Sequence, residues 1–302
     1  MQIITLTLNP AFDVHCRAEQ FLQGKENLAR ITSRQSAGKG INISRALVSN
    51  GIDNLALILV GQENGEEYTK GLAGLNYTAI PTPGRIRENI TIHTDCGEET
   101  RLSFPGFLAD KACCTALEEK LHALCNTDTV LTVTGRLAEG MSMNWIKSLL
   151  ASLPVRLVID SRSFSLADLQ EIRPWLIKPN QEEVSAYLGR PVTSFVQVRE
   201  QAEALHQAGI ENVMISMGGD GALLCCREGC LVARPPKVEV RSTIGAGDSS
   251  IAGFLAAGEA DAQMQLRCAV AFGTAACMTE GILPPEAETV AAYFHEIQVQ
   301  SL

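Results

Sequence analysis

Ser242-Thr243-Ile244-Gly245-Ala246-Gly247-Asp248-Ser249-Ser250, running on into Ile251-Ala252-Gly253-Phe254-Leu255, is the most informative stretch of the chain. It reads as a glycine turn that opens a helix. Small residues at 245 to 247 let the backbone come close to a ligand, and a helix starting there aims unpaired amide N–H groups and a positive dipole end at whatever precedes it. A phosphate fits that geometry. Asp248 then stands in the first helical turn, a poor phosphate ligand but well placed to take a proton from an attacking hydroxyl. The alternative is that Asp248 merely caps or charge-complements the helix. Both readings stand on these residues alone.

Two familiar nucleotide motifs are absent. The Gly-Lys pairs at 24-25 and 38-39 are followed by Glu26 and Gly40, not by Ser or Thr, so there is no P-loop. Gly245-Ala246-Gly247 meets Ser250 where a dinucleotide fingerprint needs a third glycine. Outward from the turn, strand-like runs (Ile3 to Leu8, Leu55 to Val60, Thr129 to Val133, Arg156 to Ile159, Leu176 to Lys178, Val213 to Met217, Ala222 to Cys226) are spaced by helix-like ones. The helices are expected at Gly40 to Asn50, Ala112 to Leu124, Ser142 to Ala151, Gln181 to Leu188, Val196 to Ala208, Gly247 to Ala257 and Asp261 to Met278, with a last one near Glu286 to Gln298. This alternation predicts an α/β fold, a mostly parallel sheet covered on both faces.

Asp13 to Gln35 and Arg85 to Phe104 break the pattern, with polar-apolar alternation such as Ile90, Ile92 and Thr94 and no intervening helix. They read as short antiparallel strands that pair into a small separate sheet, a lid over one edge of the core. No Gly/Ser-rich or Pro-rich linker and no internal repeat divides the chain, so 1–302 reads as one domain with a lid.

Composition narrows the function classes. With 25 Lys plus Arg against 34 Asp plus Glu the formal charge is −9, which argues against nucleic-acid binding and requires any anionic ligand to meet a local positive site. The longest apolar run, Leu55 to Val60, is too short for a membrane span, and Met1 to Leu8 reads as a strand instead of a signal peptide, so a cytoplasmic location is expected. The 10 cysteines include the adjacent pairs Cys113-Cys114 and Cys225-Cys226 but no Cys-x-x-Cys or His-x-x-x-His spacing. They are read as reduced, mostly buried thiols.

The chain resembles the ribokinase-like (PfkB) carbohydrate kinases, in the branch containing 1-phosphofructokinase and tagatose-6-phosphate kinase. The likeness rests on Leu8-Asn9-Pro10-Ala11-Phe12-Asp13, Ala37-Gly38-Lys39-Gly40-Ile41-Asn42, Ile177-Lys178-Pro179-Asn180 with Glu183, Ser216-Met217-Gly218-Gly219-Asp220-Gly221, and the Gly-Ala-Gly-Asp turn, in that order along the chain. It implies a three-layer α/β/α sandwich with a β-sheet lid, and transfer of the ATP γ-phosphate to a hexose phosphate. By the same resemblance Asp248 is the base and the Gly245, Ala246 and Gly247 backbone an anion hole. Asp13, Gly38, Lys39, Gly40, Asn42, Arg87 and Asn89 hold the sugar phosphate, glycines admitting it against the backbone. Lys178, Asn180, Ser216, Gly218, Gly221 and Gly273 serve the nucleotide, and Glu183 organises water around Mg2+. Lys25 and Arg30, in the other lid segment, are candidates for added charge across a lid-to-lid homodimer. The Gly218 to Gly221 stretch reads equally as a tight hairpin, and both can hold at once.

One departure bears on specificity. Where relatives carry a Ser-Gly-Ser-Leu-Pro type turn, this chain has Thr134-Gly135-Arg136-Leu137-Ala138. Arg136 either faces the sugar site, adding a cation for the substrate phosphate, or points to solvent. The stretches 37–42 and Phe104-Pro105-Gly106-Phe107 look closer to the 1-phosphofructokinase side, which makes fructose 1-phosphate the expected acceptor. Tagatose 6-phosphate and fructose 6-phosphate are the alternatives, and a non-phosphorylated sugar, a nucleoside or a non-catalytic sensor role stand further off.

Overall fold

The computed structural model describes residues 1–302. In chain order the strands are β1 (Gln2–Thr7), β2 (Ala11–Ala18), β3 (Ala29–Ala37), β4 (Leu55–Gly61), β5 (Tyr77–Thr82), β6 (Arg87–Thr94), β7 (Glu99–Ser103), β8 (Thr129–Thr134), β9 (Arg156–Asp160), β10 (Leu176–Ile177), β11 (Asn212–Ser216), β12 (Ala222–Cys226), β13 (Gly229–Arg234) and β14 (Gln298–Ser301). The helices are α1 (Lys39–Ser49), α2 (Gly65–Lys70), α3 (Lys111–Leu124), α4 (Met143–Ser152), α5 (Leu166–Ile172), α6 (Gln181–Leu188), α7 (Phe195–Gln207), α8 (Ala246–Ala256), α9 (Ala262–Cys277) and α10 (Ala287–Phe294).

Ten strands form the main sheet in the order β14-β13-β12-β11-β10-β9-β8-β1-β4-β5, parallel from β11 to β5 and antiparallel from β11 to β14. Because strand side chains alternate between faces, each strand feeds two cores. Ile4 and Leu6, Leu131 and Val133, and Val213 and Ile215 pack on the side of α3, α4, α6 and α7. Ile3, Val130, Val158 and Met214 pack on the other, against α1, α8, α9 and α10. That is a ribokinase-like α/β/α sandwich. The α8–α9 contact is close enough to require a missing side chain: a β-carbon at Gly253 would strike the Cys268 carbonyl and stand 2.9 Å from Phe272 Cβ. Gly253→Ala is therefore expected to destabilise the protein by about 2–3 kcal/mol, read as a lowered Tm in a thermal scan.

A second sheet, in the order β3-β2-β6-β7, stands over the main one. It comes from the two segments expected to form it, but the pairing between them is parallel, β2 with β6, and only the outer pairs are antiparallel. The reason is topological: β2 follows parallel β1 and β6 follows parallel β5, so both leave the main sheet from the same edge in the same direction. The helix expected to run to Gln298 stops at Phe294 and gives way to β14, which covers the edge of β13. The cysteine reading is corrected at one pair: Cys225 and Cys230 form a disulfide. They are cross-strand partners of the β12–β13 hairpin, and this register, invisible in the adjacent Cys225-Cys226 spacing, brings them together.

Candidate active site

Thr7, Thr134, Asp160, Lys178 and Ser216 stand at or just beyond the carboxyl ends of parallel strands, where open α/β sheets bind ligands. With α8 and the small sheet they line a single cavity of about 1170 Å³. At its floor, Gly245 adopts φ 79°, a left-handed conformation open to glycine, and turns the chain into α8. The amides of Gly247 and Asp248 find no carbonyl partner there. No side chain caps this helix, so Asp248 is not a cap, although as the acidic residue of the first turn it complements the helix charge. Its carboxylate instead accepts a hydrogen bond from Asn42 Nδ2 at 2.8 Å. Asp248 is 6% exposed, and burial pushes its pKa up to about 6 against the pull of Lys39 and Lys178.

A charge cluster adjoins it. Lys39 Nζ lies 2.9 Å from Asp160 Oδ2 and Lys178 Nζ 4.0 Å from the same atom. Burial would raise the Asp160 pKa, but Lys178 and Lys39 hold it below the ordinary carboxylate value. Burial likewise works against the Lys39 ammonium, and Asp160 and Asp248 outweigh it to keep the pKa raised. Asn180 and Glu183 form a capping box at the start of α6: Asn180 Oδ1 accepts from the Glu183 N–H at 2.7 Å and Glu183 Oε2 from the Asn180 N–H at 3.1 Å. The other Glu183 oxygen accepts from Arg162 Nε at 2.8 Å.

Ser216, Gly218 and Gly221 line the same cavity from the turn between β11 and β12, which is a tight hairpin as expected. Gly221, at φ 94°, lets the turn close against the Ala233 carbonyl. Gly273, Thr274 and Cys277 of α9 face it, together with Pro235, Lys237 and Val240, which sequence reasoning missed because an irregular segment has no periodic signal.

At the other end, Asn89 Nδ2 donates to Asp13 Oδ1 at 2.9 Å. Arg87 donates to the Phe104 and Asn9 carbonyls, leaving a buried Nε without a partner. Burial first, then Arg136, lowers the Arg87 pKa. Arg136 lines the cavity while remaining exposed to solvent, and Arg101 of β7 joins it 3.8 Å from Asp13. Oxygens of Asn9, Asn42, Asn89, Thr7 and Thr134 are buried here without partners, as befits a site that hydrogen-bonds a polyhydroxyl ligand.

Of the expected residues, Gly40 is the exception. It does not line the cavity; a β-carbon there would strike Thr7 Oγ1 and the Leu6 carbonyl, so its small size serves the packing of α1 on β1. Lys25, in the exposed β2–β3 loop, and Arg30, on the exposed part of β3, also lie outside the cavity. Asp160, Arg162 and Arg101 escaped sequence reasoning, although Asp160 ends a recognised strand, the signal that marks a ligand-facing position.

Over residues 8–281 the chain matches the pfkB family carbohydrate kinases. It is 31% identical to the 1-phosphofructokinase of Vibrio cholerae over 309 aligned positions, covering 100% of this chain and 97% of that one. It is 34% identical to the 1-phosphofructokinase of Escherichia coli K12 over 261, covering 84% and 83%. Among solved structures, phosphofructokinase-2 from Escherichia coli in complex with substrates and products superposes with a TM-score of 0.91 at 27% identity, over 98% of this chain and 99% of that one. Sequence and fold therefore agree along the whole length, and the chain belongs to the pfkB family, the ATP-dependent carbohydrate kinases.

Proposed function

We propose that this kinase transfers the γ-phosphoryl group of ATP to the C6 hydroxyl of fructose 1-phosphate, giving fructose 1,6-bisphosphate and ADP. One observation carries the reading: a single cavity holds a buried carboxylate beside open helix amides and, at its other end, Arg87, Arg101 and Arg136. Arg87 and Arg136 have no carboxylate in ion-pair contact and Arg101 only the 3.8 Å contact with Asp13, so the cluster calls for an anionic acceptor, and a phosphate monoester takes such forks in bidentate fashion. Asp248 accepts the proton of the attacking hydroxyl, with Asn42 holding its carboxylate in place. The oxygen then forms its bond to the γ-phosphorus as the bond to the β-phosphate oxygen breaks. The Gly247 and Asp248 amides and the Lys39 ammonium stabilise charge that gathers on the transferred group. Asp13 and Asn89 orient the sugar hydroxyls.

The residues near Lys178 suit Mg2+, since the Asp160 and Glu183 carboxylates and the Asn180 amide are hard oxygen donors. No three acidic, His or Cys side chains cluster to grip a metal directly, which fits an ion held by phosphates and water. When bound, Mg2+ would offset the negative charge of the ATP phosphates.

The small sheet acts as a lid over one domain. Its strands β3 and β7 are exposed edges, and Leu28 and Ile31 project at 94% and 67% exposure, which supports pairing of two copies through the lid, with Lys25 and Arg30 serving the partner. No helix is long and apolar enough to cross a membrane. We place the enzyme in the cytoplasm with its phosphorylated substrates.

Mg2+-dependent ADP release with fructose 1-phosphate, fructose 6-phosphate, tagatose 6-phosphate, fructose and ribose tests the assignment. Preference for fructose 1-phosphate is expected; tight binding of any of these without turnover would indicate a sensor instead. Because Asp248 must be ionised to accept a proton and its pKa is about 6, kcat/KM should fall about tenfold per pH unit below pH 6 and level off above it. Initial rates between pH 5 and 8 check this.

A further inference from the structure

Asp160 and Glu183, the carboxylates beside Lys178 and Asn180, already have cations. Asp160 is answered by Lys39 and Lys178, in a pair of contacts from which Asp160 is almost wholly excluded from water. Glu183 is answered by Arg162, and both Glu183 oxygens are occupied, one by Arg162 and one by the Asn180 amide. Each Glu183 oxygen keeps a second lone pair, but the guanidinium charge beside it opposes the approach of a divalent ion. The Asn180 bond is part of the box that starts α6 and is held by the helix itself. Arg162 is held by little: its side chain is 61% exposed against 12% for Glu183, and it makes one hydrogen bond, through Nε. An ion pair with one partner so exposed is held weakly, so Arg162 exchanges partners readily. Arg162 lines the same cavity as Lys178 and Asn180, where polyphosphate oxygens would lie.

We infer that Arg162 is a displaceable counter-ion, which neutralises Glu183 in the empty enzyme and transfers to nucleotide phosphate oxygens on binding, leaving Glu183 free to accept from the waters of a divalent ion. This inference rests on the kinase reading. It makes Arg162 a positioning residue that keeps a free divalent ion from occupying Glu183 ahead of the nucleotide, and it links metal and nucleotide affinity through one side chain. A planar fork matched to phosphate oxygens suits the second half of that exchange.

Mn2+, titrated into nucleotide-free protein and followed by its EPR signal, tests it directly. Removing a positive charge within a few ångströms of the ion should let Arg162→Ala bind Mn2+ about 10-fold more tightly than the wild type, with Arg162→Lys between them. Adding Glu183→Gln to Arg162→Ala should abolish the gain. The KM for ATP at saturating Mg2+ should rise about 5- to 10-fold in Arg162→Ala, as a lost phosphate contact requires. Loss of a purely structural contact would not strengthen Mn2+ binding. Equal, weaker or undetectable Mn2+ binding by Arg162→Ala, or a gain that survives Glu183→Gln, overturns the inference. Wild-type turnover with ATP and fructose 1-phosphate, run alongside, separates that failure from a failure of the kinase reading.

Discussion

Asp248→Asn should lower kcat about a thousandfold while making the folded protein more stable at pH 8. The two effects share one cause. Burial lifts the Asp248 pKa from an ordinary 3.8 to about 6, so the folded state resists the ionised carboxylate that the proposed mechanism needs. The sign follows from linkage. Below the unfolded value the group is protonated in both states and costs nothing; the penalty grows between the two values and is complete above the folded one. A neutral amide removes it and still accepts from Asn42. After allowing for the lost attraction to Lys39 and Lys178, the gain is roughly 1–2 kcal/mol, or a Tm rise of a few degrees at pH 8 that vanishes near pH 4. Steady-state rates and thermal scans across that range are the measurements. An inactive variant that is also less stable at pH 8 would mean that Asp248 serves chiefly as a counter-ion to the lysines.

Arg87→Ala should raise the KM for fructose 1-phosphate about 30- to 100-fold, the equivalent of about 2–3 kcal/mol for charge-assisted hydrogen bonds to phosphate. The Arg87 Nε is buried with nothing to donate to, and its neighbours Arg101 and Arg136 are cations that offer it no relief. An acceptor phosphate relieves all three. Turnover of unphosphorylated fructose, slow in either protein, should hardly change. Wild-type affinity for the sugar phosphate in this variant would remove the arginine end of the cavity from the acceptor site. Since Arg87 also ties the Phe104 and Asn9 carbonyls together, a thermal scan of the same protein accompanies the kinetics.

Much of this architecture is legible in the chain. The glycine turn, α6 to the residue, and the strands that supply Thr7, Thr134 and Ser216 follow from local pattern, and local pattern is what periodicity reports. What it does not report is which strand lies beside which. Parallel pairing of β2 with β6 depends on where distant β1 and β5 end, and the Cys225–Cys230 bond depends on hairpin register. Gly40 shows a different limit. A glycine in a ligand-binding motif and a glycine that lets a helix touch a strand look alike in sequence, and only the proximity of Thr7 and Leu6 separates them. Asp160 and Arg101 have meaning only beside Lys39 and Asp13, partners more than 80 positions away.

The small sheet is attached by its base. Ala11, Ala37 and Arg87 lie side by side at one level, each a strand end that continues into the main body. Asp13 and Asn89 are two residues out from that line and Ala18 seven, so at about 3.3 Å per residue they stand roughly 7 and 23 Å from the fulcrum. For any given tilt the tip therefore travels about three and a half times as far as Asp13 and Asn89. As the proposed lid, the sheet would work as a lever whose jaws sit next to the pivot: its outer end could sweep open for exchange of ligands while the proposed sugar contacts kept nearly constant geometry.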